Sequence, residues 1–443
     1  MKFQNKYTIR RCEVVNTTSK NENRILPYKM LLNAMETTYE LVEGILPETG
    51  IPSLKIGLEE MITVVRRDLE KAREGVPIVG YHFAFQADYL KAFDCVPICI
   101  EGVSYFLGTL LMNGVEKYYD VIGNWGHPFH TCSAQKGAMG MSLENLYHFD
   151  AMITPTAPCD STCASYPFFK FEKKIPLIIA DMPFIHNEKS YKYYGEQLKL
   201  SLHSLGKVIG QVPDFDKMRK ALEVENEVSK LRMELFDLIK AVPSPIENIF
   251  NPISAASLII ISGTPENISF YRRILDIAKS RYKNKEHHGG EEKIRSIWPY
   301  MLTFFDISLC EWLDRKIGMS VLLDIFNYNL SDPIDTTADL DSLFYDMARK
   351  AMGWPMIKQS TEFYYPFLDD CIRMAKDFSA DCFIYTQSIA CKQFGGVPQL
   401  LREALMDEVG IPMLVIDFDV GDARITSAKA IKDKISMFVQ TLL

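Results

Sequence analysis

Ten cysteines are spread over the 443 residues, and three of them stand where a ligand would be held. Cys132 lies in His127-Pro-Phe-His-Thr-Cys-Ser, Cys159 follows the apolar Met152-Ile153 in Thr154-Pro-Thr-Ala-Pro-Cys-Asp160, and Cys391 follows Phe383-Ile384-Tyr385. Each sits where a strand of a parallel sheet is expected to hand over to a loop or helix, the place where α/β sheets bind ligands. Loops converging from two domains would gather the three thiols around one iron–sulfur cube.

A lone cysteine is more often a small buried hydrophobe than a ligand. Cys95, Cys99, Cys310, Cys371 and Cys382 lie in apolar or helical surroundings and read as packing residues, and Cys12 lies in a polar tail. Cys159 and Cys163 form a C-x-x-x-C, but the third cysteine of a C-x-x-x-C-x-x-C motif would fall on Tyr166. Cys95 and Cys99 fail the same test at Gly102. No C-x-x-C pair and no Cys/His knuckle occurs, so zinc has weak support.

Several residues near these cysteines carry chemistry of their own. His82, His127 and His130 are the nearest groups for proton transfer, each with a structural hydrogen-bonding role as the plainer alternative. Trp125, Phe129 and Phe394 flank the cysteines and are expected to exclude water. Lys136 and Lys392 would offset negative charge or be solvated. Gly395-Gly396 allows close backbone approach or simply opens a helix.

The elements that must position these groups read as α/β. From Lys20 to Glu74 apolar residues recur at helical spacing, as in Met30, Leu31, Ala34, Met35 and Leu41 and then Leu58, Met61, Val65 and Leu69. Short apolar runs follow at 76–81, 97–100, 150–155 and 175–181, separated by helix-length stretches, the first beginning near Gln86. Strands alternating with helices predict a parallel sheet. A long amphipathic helix over 216–240, with Leu222, Val228, Leu231, Leu235 and Leu238 along one side, closes this unit. The polar stretch 282–292 reads as a linker or exposed loop. A second α/β unit has strands at 321–326, 381–385 and 413–417 and helices at 398–409 and 428–442. The expected fold is α/β: a helical segment over 1–75, a Rossmann- or flavodoxin-like parallel-sheet domain over 76–265 with two of the cysteines, and a second over 290–443 with the third. No internal sequence repeat is visible.

An ordered series of segments from about Val76 to the C-terminus resembles the superfamily of class I benzoyl-CoA reductases and 2-hydroxyacyl-CoA dehydratases. The pieces include Val79-Gly80-Tyr81, Tyr89-Leu90-Lys91-Ala92-Phe93, Cys132-Ser133, Pro158-Cys159-Asp160, Ala180-Asp-Met-Pro-Phe184, Cys391, Leu400-Leu-Arg-Glu403 and the run Asp417–Ser427. The resemblance implies that Cys132, Cys159 and Cys391 hold a [4Fe-4S] cluster, leaving one iron without a protein ligand. It also implies that the cluster passes an electron to the carbonyl of a coenzyme A thioester. The resulting ketyl-type radical anion loses water or, on an aromatic ring, is reduced further. The implied partners are a homologous second subunit, in a heterodimer or homodimer, and an ATP-dependent iron–sulfur activator, since no G-x-x-x-x-G-K-[ST] occurs in this chain. The pattern is broken at His82-Phe-Ala-Phe85, where the dehydratase α-subunit has serines, and at Ala87-Asp88-Tyr89, where Pro-x-Glu is usual. The alternatives are a double-cubane [8Fe-9S] small-molecule reductase, drawing on the extra cysteines, and a non-catalytic scaffold subunit.

A net charge of −8 with interspersed Lys and Arg gives no basic stripe for a phosphate backbone, so nucleic acid is not an expected partner. The charged N-terminus has no signal-like apolar core, and no run of about 18 apolar residues occurs. A cytoplasmic chain without membrane association is the expectation.

Overall fold

The computed structural model of the chain describes residues 20–49, 51–111, 114–299, 305–328 and 332–442. Cys12 and the rest of the polar stretch 1–19 lie outside the described residues.

Two long helices, α1 (Lys20–Thr49) and α2 (Pro52–Arg73), pack on each other ahead of the first sheet. The helical spacing holds in α2, where Leu58, Met61, Val65 and Leu69 are all buried. In α1 the stripe runs through Leu31, Ala34, Met35 and Val42, while Leu41 faces solvent. Arg24 fastens α1 to the start of the sheet, donating to the Val76 carbonyl (2.6 Å) and to Asp150 Oδ2 (2.9 Å), which also accepts from the Ile78 amide (2.7 Å).

The first sheet is parallel, ordered β2-β1-β3-β4 from β1 (Ile78–Tyr81), β2 (Val96–Cys99), β3 (Ala151–Pro155) and β4 (Leu177–Ala180). The stretch after β1 is a short 3-10 helix over Ala87–Ala92, not an α-helix. Four helices are threaded between the strands or follow them toward the site: α3 (Ile100–Leu111), α4 (Glu116–Asn124), α5 (Ser133–Leu143) and α6 (Asp160–Phe171). The long helices α7 (Glu188–Ile209) and α8 (Phe215–Ile239) come next, and α8 ends within one residue of the amphipathic stretch read from sequence. Its Leu222, Val228 and Leu235 are buried, whereas Leu231 and Leu238 are half-buried at the edge of the stripe. Helices α9 (Phe250–Ile260) and α10 (Pro265–Asn284) return the chain against α2 and α8.

The second sheet is also parallel, ordered β6-β5-β7-β8 from β5 (Ile294–Ile297), β6 (Met319–Val321), β7 (Cys382–Ser388) and β8 (Met413–Phe418). Both sheets share one order, so the chain carries the same four-strand unit twice although no repeat is visible in its sequence. Strand β6 ends at Val321, short of the expected 326, because the chain turns over 325–327. Strand β5 was not anticipated. Helix α11 (Ser308–Trp312) precedes β6; α12 (Leu340–Met352), α13 (Ile357–Ser360) and α14 (Tyr365–Asp377) precede β7; α15 (Lys392–Gly395) and α16 (Pro398–Glu408) follow it; α17 (Ala428–Val439) closes the fold.

The stretch 282–292 is neither a linker nor wholly exposed. It begins inside α10, and His287 is buried against Ser320, its Nε2 lying 3.0 Å from the hydroxyl. Gly289 sits where a Cβ would lie 2.0 Å from the Asp314 carbonyl, so only glycine fits there. Among the described residues no helix is long and apolar enough to cross a membrane.

Candidate active site

In each sheet the strand order reverses beside the first strand, at β1/β3 and at β5/β7, and such switch points leave a crevice beyond the carboxyl ends of the strands. Cys159 follows β3 and is the N-cap of α6; Cys391 follows β7 and is the N-cap of α15. The two cysteines thus occupy equivalent places in the two halves. Cys132 is also an N-cap, of α5, but it is delivered by the loop after α4 and not by a strand, which corrects the sequence expectation. Helix N-termini present free amides and a partial positive charge, which favours thiolates.

Cys132, Cys159 and Cys391 line one cavity between the two sheets, about 910 Å³ of atom-free space with its open mouth included. The loops that carry them are tied together. The Cys132 amide reaches Ser161 Oγ at 3.4 Å, and Gln393 Nε2 donates to Asp160 Oδ1 at 3.1 Å across the two halves. A second tie is Arg424, from the run Asp417–Ser427, which grips Asp422 and reaches Asp120 of α4 at 2.9 Å. Helix α5, Ser-Ala-Gln-Lys-Gly-Ala-Met-Gly-Met-Ser-Leu, is buried almost all round because its small residues admit close neighbours. At Gly140 a Cβ would stand 2.0 Å from the Tyr118 carbonyl oxygen of α4.

Burial pushes the Cys132 thiol up, with the neighbouring Cys159 adding to the effect. Burial also pushes Cys159 up, to about 11, with Cys391 as the next cause, while Thr162 and the amides of Ser161 and Thr162 pull it down. Without a metal these thiols therefore hold their protons, since three thiolates in one buried cavity would repel one another, and a bound cation would remove that repulsion and displace the protons. The Tyr105 hydroxyl lies 3.3 Å from Cys132 Sγ. Three thiols on helix N-termini in one largely apolar cavity fit an iron–sulfur cube held by three ligands. Of the remaining described cysteines only Cys99 lines the cavity; Cys95, Cys310, Cys371 and Cys382 are buried elsewhere and Cys163 is on the surface.

The cavity also contains an acid that sequence reasoning passed over. Glu101, in the first turn of α3, is almost fully buried and lines the cavity. Its Oε1 accepts from Gln135 Nε2 (2.8 Å) and the Tyr166 hydroxyl (3.0 Å), and its Oε2 accepts from Cys99 Sγ (3.6 Å). The signal was present, because Glu101 is the one charged residue in Ile-Glu-Gly-Val-Ser-Tyr-Phe-Leu-Gly-Thr-Leu-Leu, directly after a strand. No sequence signal marks Gln135, which donates to Glu101, or Thr162, which accepts from Gln135 at 3.1 Å; only the fold brings them together.

The structure does not bring the three histidines together. His82 is fully buried behind the cavity wall, and burial lowers its pKa against the pull of Glu101. Its Nδ1 accepts from the Ala84 amide (3.2 Å), which leaves the proton on Nε2, 2.8 Å from Thr162 Oγ1. His127 is half-buried on the loop before α5, its pKa lowered by burial and then by Lys136 and His130, and His130 is exposed. Neither lines the cavity. Of the aromatic residues, Phe394 lines it, but Trp125 and Phe129 face solvent at 52% and 63% exposure and cannot seal it. Lys136 is buried, donating to the Phe129 carbonyl at 3.1 Å, whereas Lys392 is exposed. A Cβ at Gly395 or Gly396 would meet nothing closer than 3.9 Å, so neither glycine serves a close approach.

Comparison with known proteins fits this site. Residues 88–442 match the family described as 2-hydroxyglutaryl-CoA dehydratase, D-component, and the chain belongs to that family. It is 21% identical over 278 residues to the (R)-phenyllactyl-CoA dehydratase alpha subunit of Clostridium sporogenes, an alignment spanning 60% of this chain and 64% of that subunit.

Proposed function

We propose that the chain is the iron–sulfur subunit of a 2-hydroxyacyl-CoA dehydratase, with Cys132, Cys159 and Cys391 as ligands of a [4Fe-4S] cluster. The observation that carries this is the convergence of three helix-capping cysteines and one buried carboxylate on a single cavity between the two sheets. A bound cluster would lend a low-potential electron to the thioester carbonyl, giving the ketyl-type radical anion that expels the 2-hydroxyl group, and would take the electron back once the neighbouring proton has left, so that the dehydration is redox-neutral.

The chain's own residues supply position, dryness and proton transfer. Phe83, Phe106, Phe326 and Phe394 line the cavity and keep water from a radical intermediate. Loss of water takes a hydroxyl from one carbon and a proton from its neighbour, and Glu101 is the group placed to take that proton, held by Gln135 and Tyr166. His82 acts at one remove, as a positioning residue. It donates through Nε2 to Thr162, whose hydroxyl lies on Cys159, so the chain of hydrogen bonds ends on a cluster sulfur.

Reduction of an aromatic ring is the less favoured chemistry, because the family match and the curated relative are both dehydratases. A homologous partner subunit and an ATP-dependent activator complete the proposal. The test is enoyl-CoA formation from a 2-hydroxyacyl-CoA by the anaerobically purified chain with its partner subunit, activator, ATP and reductant. Absence of product with a fully loaded cluster would overturn the dehydratase reading.

A further inference from the structure

A second cavity lies beside the first. It spans about 420 Å³ of atom-free space with its open mouth included, and shares two wall residues with the cysteine cavity, Phe106 of α3 and Ala256 of α9. The first cavity takes Glu101, Gly102, Tyr105 and Phe106 from α3, and the second takes Phe106, Thr109 and Leu110. The two therefore follow one another along the helix. At about 1.5 Å per residue, Glu101 to Leu110 spans about 13 Å, the reach of a medium-length acyl chain from its carbonyl end.

The chemistry of the walls is one-sided. Met35, Leu58, Met61, Ile253 and Ile260 surround the second cavity, and its one polar side chain, Thr109, donates to the Tyr105 carbonyl at 2.9 Å. Among the described residues lining either cavity, Glu101 is the only charged one, and there is no Lys or Arg. A second carboxylate on the acyl group would find no cation and would meet a like charge.

Resting on the CoA-thioester reading, we propose that the second cavity receives the distal end of the acyl group, and that Phe106 and Ala256 set acyl specificity. The substrate class is then a CoA thioester with an uncharged apolar tail, aryl-alkyl or medium-chain alkyl, and not a dicarboxylic acyl group. Phe106 and Ala256 stand in the walls of both cavities, so the size of these two side chains decides how far an acyl group can pass from one to the other. Gly102 gives the ring its room, since a Cβ there would lie 3.1 Å from Phe106.

The test is equilibrium dialysis of the whole, iron-loaded chain against saturated esters that cannot react: phenylpropionyl-, octanoyl-, propionyl- and glutaryl-CoA. Wild type should bind phenylpropionyl-CoA at least about tenfold more tightly than propionyl- or glutaryl-CoA. Ala256→Leu should weaken phenylpropionyl-CoA at least about tenfold more than propionyl-CoA and so remove that advantage, while Phe106→Ala should move the preference toward octanoyl-CoA, with Phe106→Leu intermediate. Equal binding of glutaryl- and phenylpropionyl-CoA, or ratios that neither position alters while propionyl-CoA still binds, would overturn the proposal. Failure of every ester to bind an iron-loaded chain would instead remove the CoA-thioester reading, and this inference with it.

Discussion

Replacing Glu101 by Gln removes a charge from the cavity while keeping the shape of the side chain. Oε1 carries the bonds from Gln135 and Tyr166, and the amide oxygen of Gln can take its place. Each bond weakens from the charge-assisted to the neutral range, about 1 kcal/mol apiece, so about 2 kcal/mol is lost. Against this, a buried carboxylate no longer has to be desolvated, a penalty of several kcal/mol. The relieved penalty at least offsets the weakened bonds, so the variant should be no less stable than wild type and the urea midpoint should not fall. Turnover should fall about 10²- to 10⁴-fold, the usual contribution of a positioned acid or base. Iron content and urea unfolding are measured on the same preparation as enoyl-CoA formation. A folded, iron-loaded variant that turns over within about threefold of wild type would refute the role given to Glu101. Glu101→Ala is the contrast, because it strands Gln135 and Tyr166 and should cost about 3 kcal/mol or more.

Thr162→Val cuts the hydrogen-bond chain from His82 to Cys159. It should shift the cluster midpoint to a more negative potential in an EPR-monitored redox titration, with His82→Ala giving a smaller shift in the same direction and iron retained; an unchanged potential in Thr162→Val contradicts the chain. Gly140→Ala drives a Cβ into the Tyr118 carbonyl and should cost about 3 kcal/mol in urea unfolding, so a neutral result would show that α4 and α5 can separate. Asp88 is fully buried, and burial, with Glu225 as the next cause, pushes its carboxyl up to about 7. The unfolded carboxyl ionises from about pH 4 while the folded one stays protonated, so wild-type stability should fall as pH rises toward 7. Asp88→Asn should flatten that slope, and an unaltered stability–pH profile counts against the buried acid.

The parts of the site that were legible in the sequence are those fixed by local pattern. Cys159 and Cys391 each follow an apolar run that forms a strand, β3 and β7, so their places at the carboxyl ends of strands are readable from the alternation of strands and helices. Cys132 has no such strand, and its place depends on α4 and α5 packing at Gly140, a contact that no local pattern announces. The shared strand order was hidden because strands of three to seven residues leave too little sequence to compare. The strand expected over 321–326 meets β6 (Met319–Val321) only at Val321, because Leu322, Leu323 and Ile325 are buried outside the ladder, and burial mimics a strand. The histidines were chosen for nearness in sequence to the cysteines, whereas in the fold His127 and His130 sit outside the cavity and His82 behind its wall. Glu101 was missed for the opposite reason, since it lies 31 positions before Cys132 (132 − 101) and reaches the cavity through α3.

Iron and acid-labile sulfide per chain after strictly anaerobic purification, measured for wild type and for Cys132→Ser, Cys159→Ser and Cys391→Ser, test the account most directly. About four irons per wild-type chain are expected, with cluster loss or conversion in each variant and none in Cys310→Ser. An iron-free wild type, or full iron retention in all three variants, would contradict it.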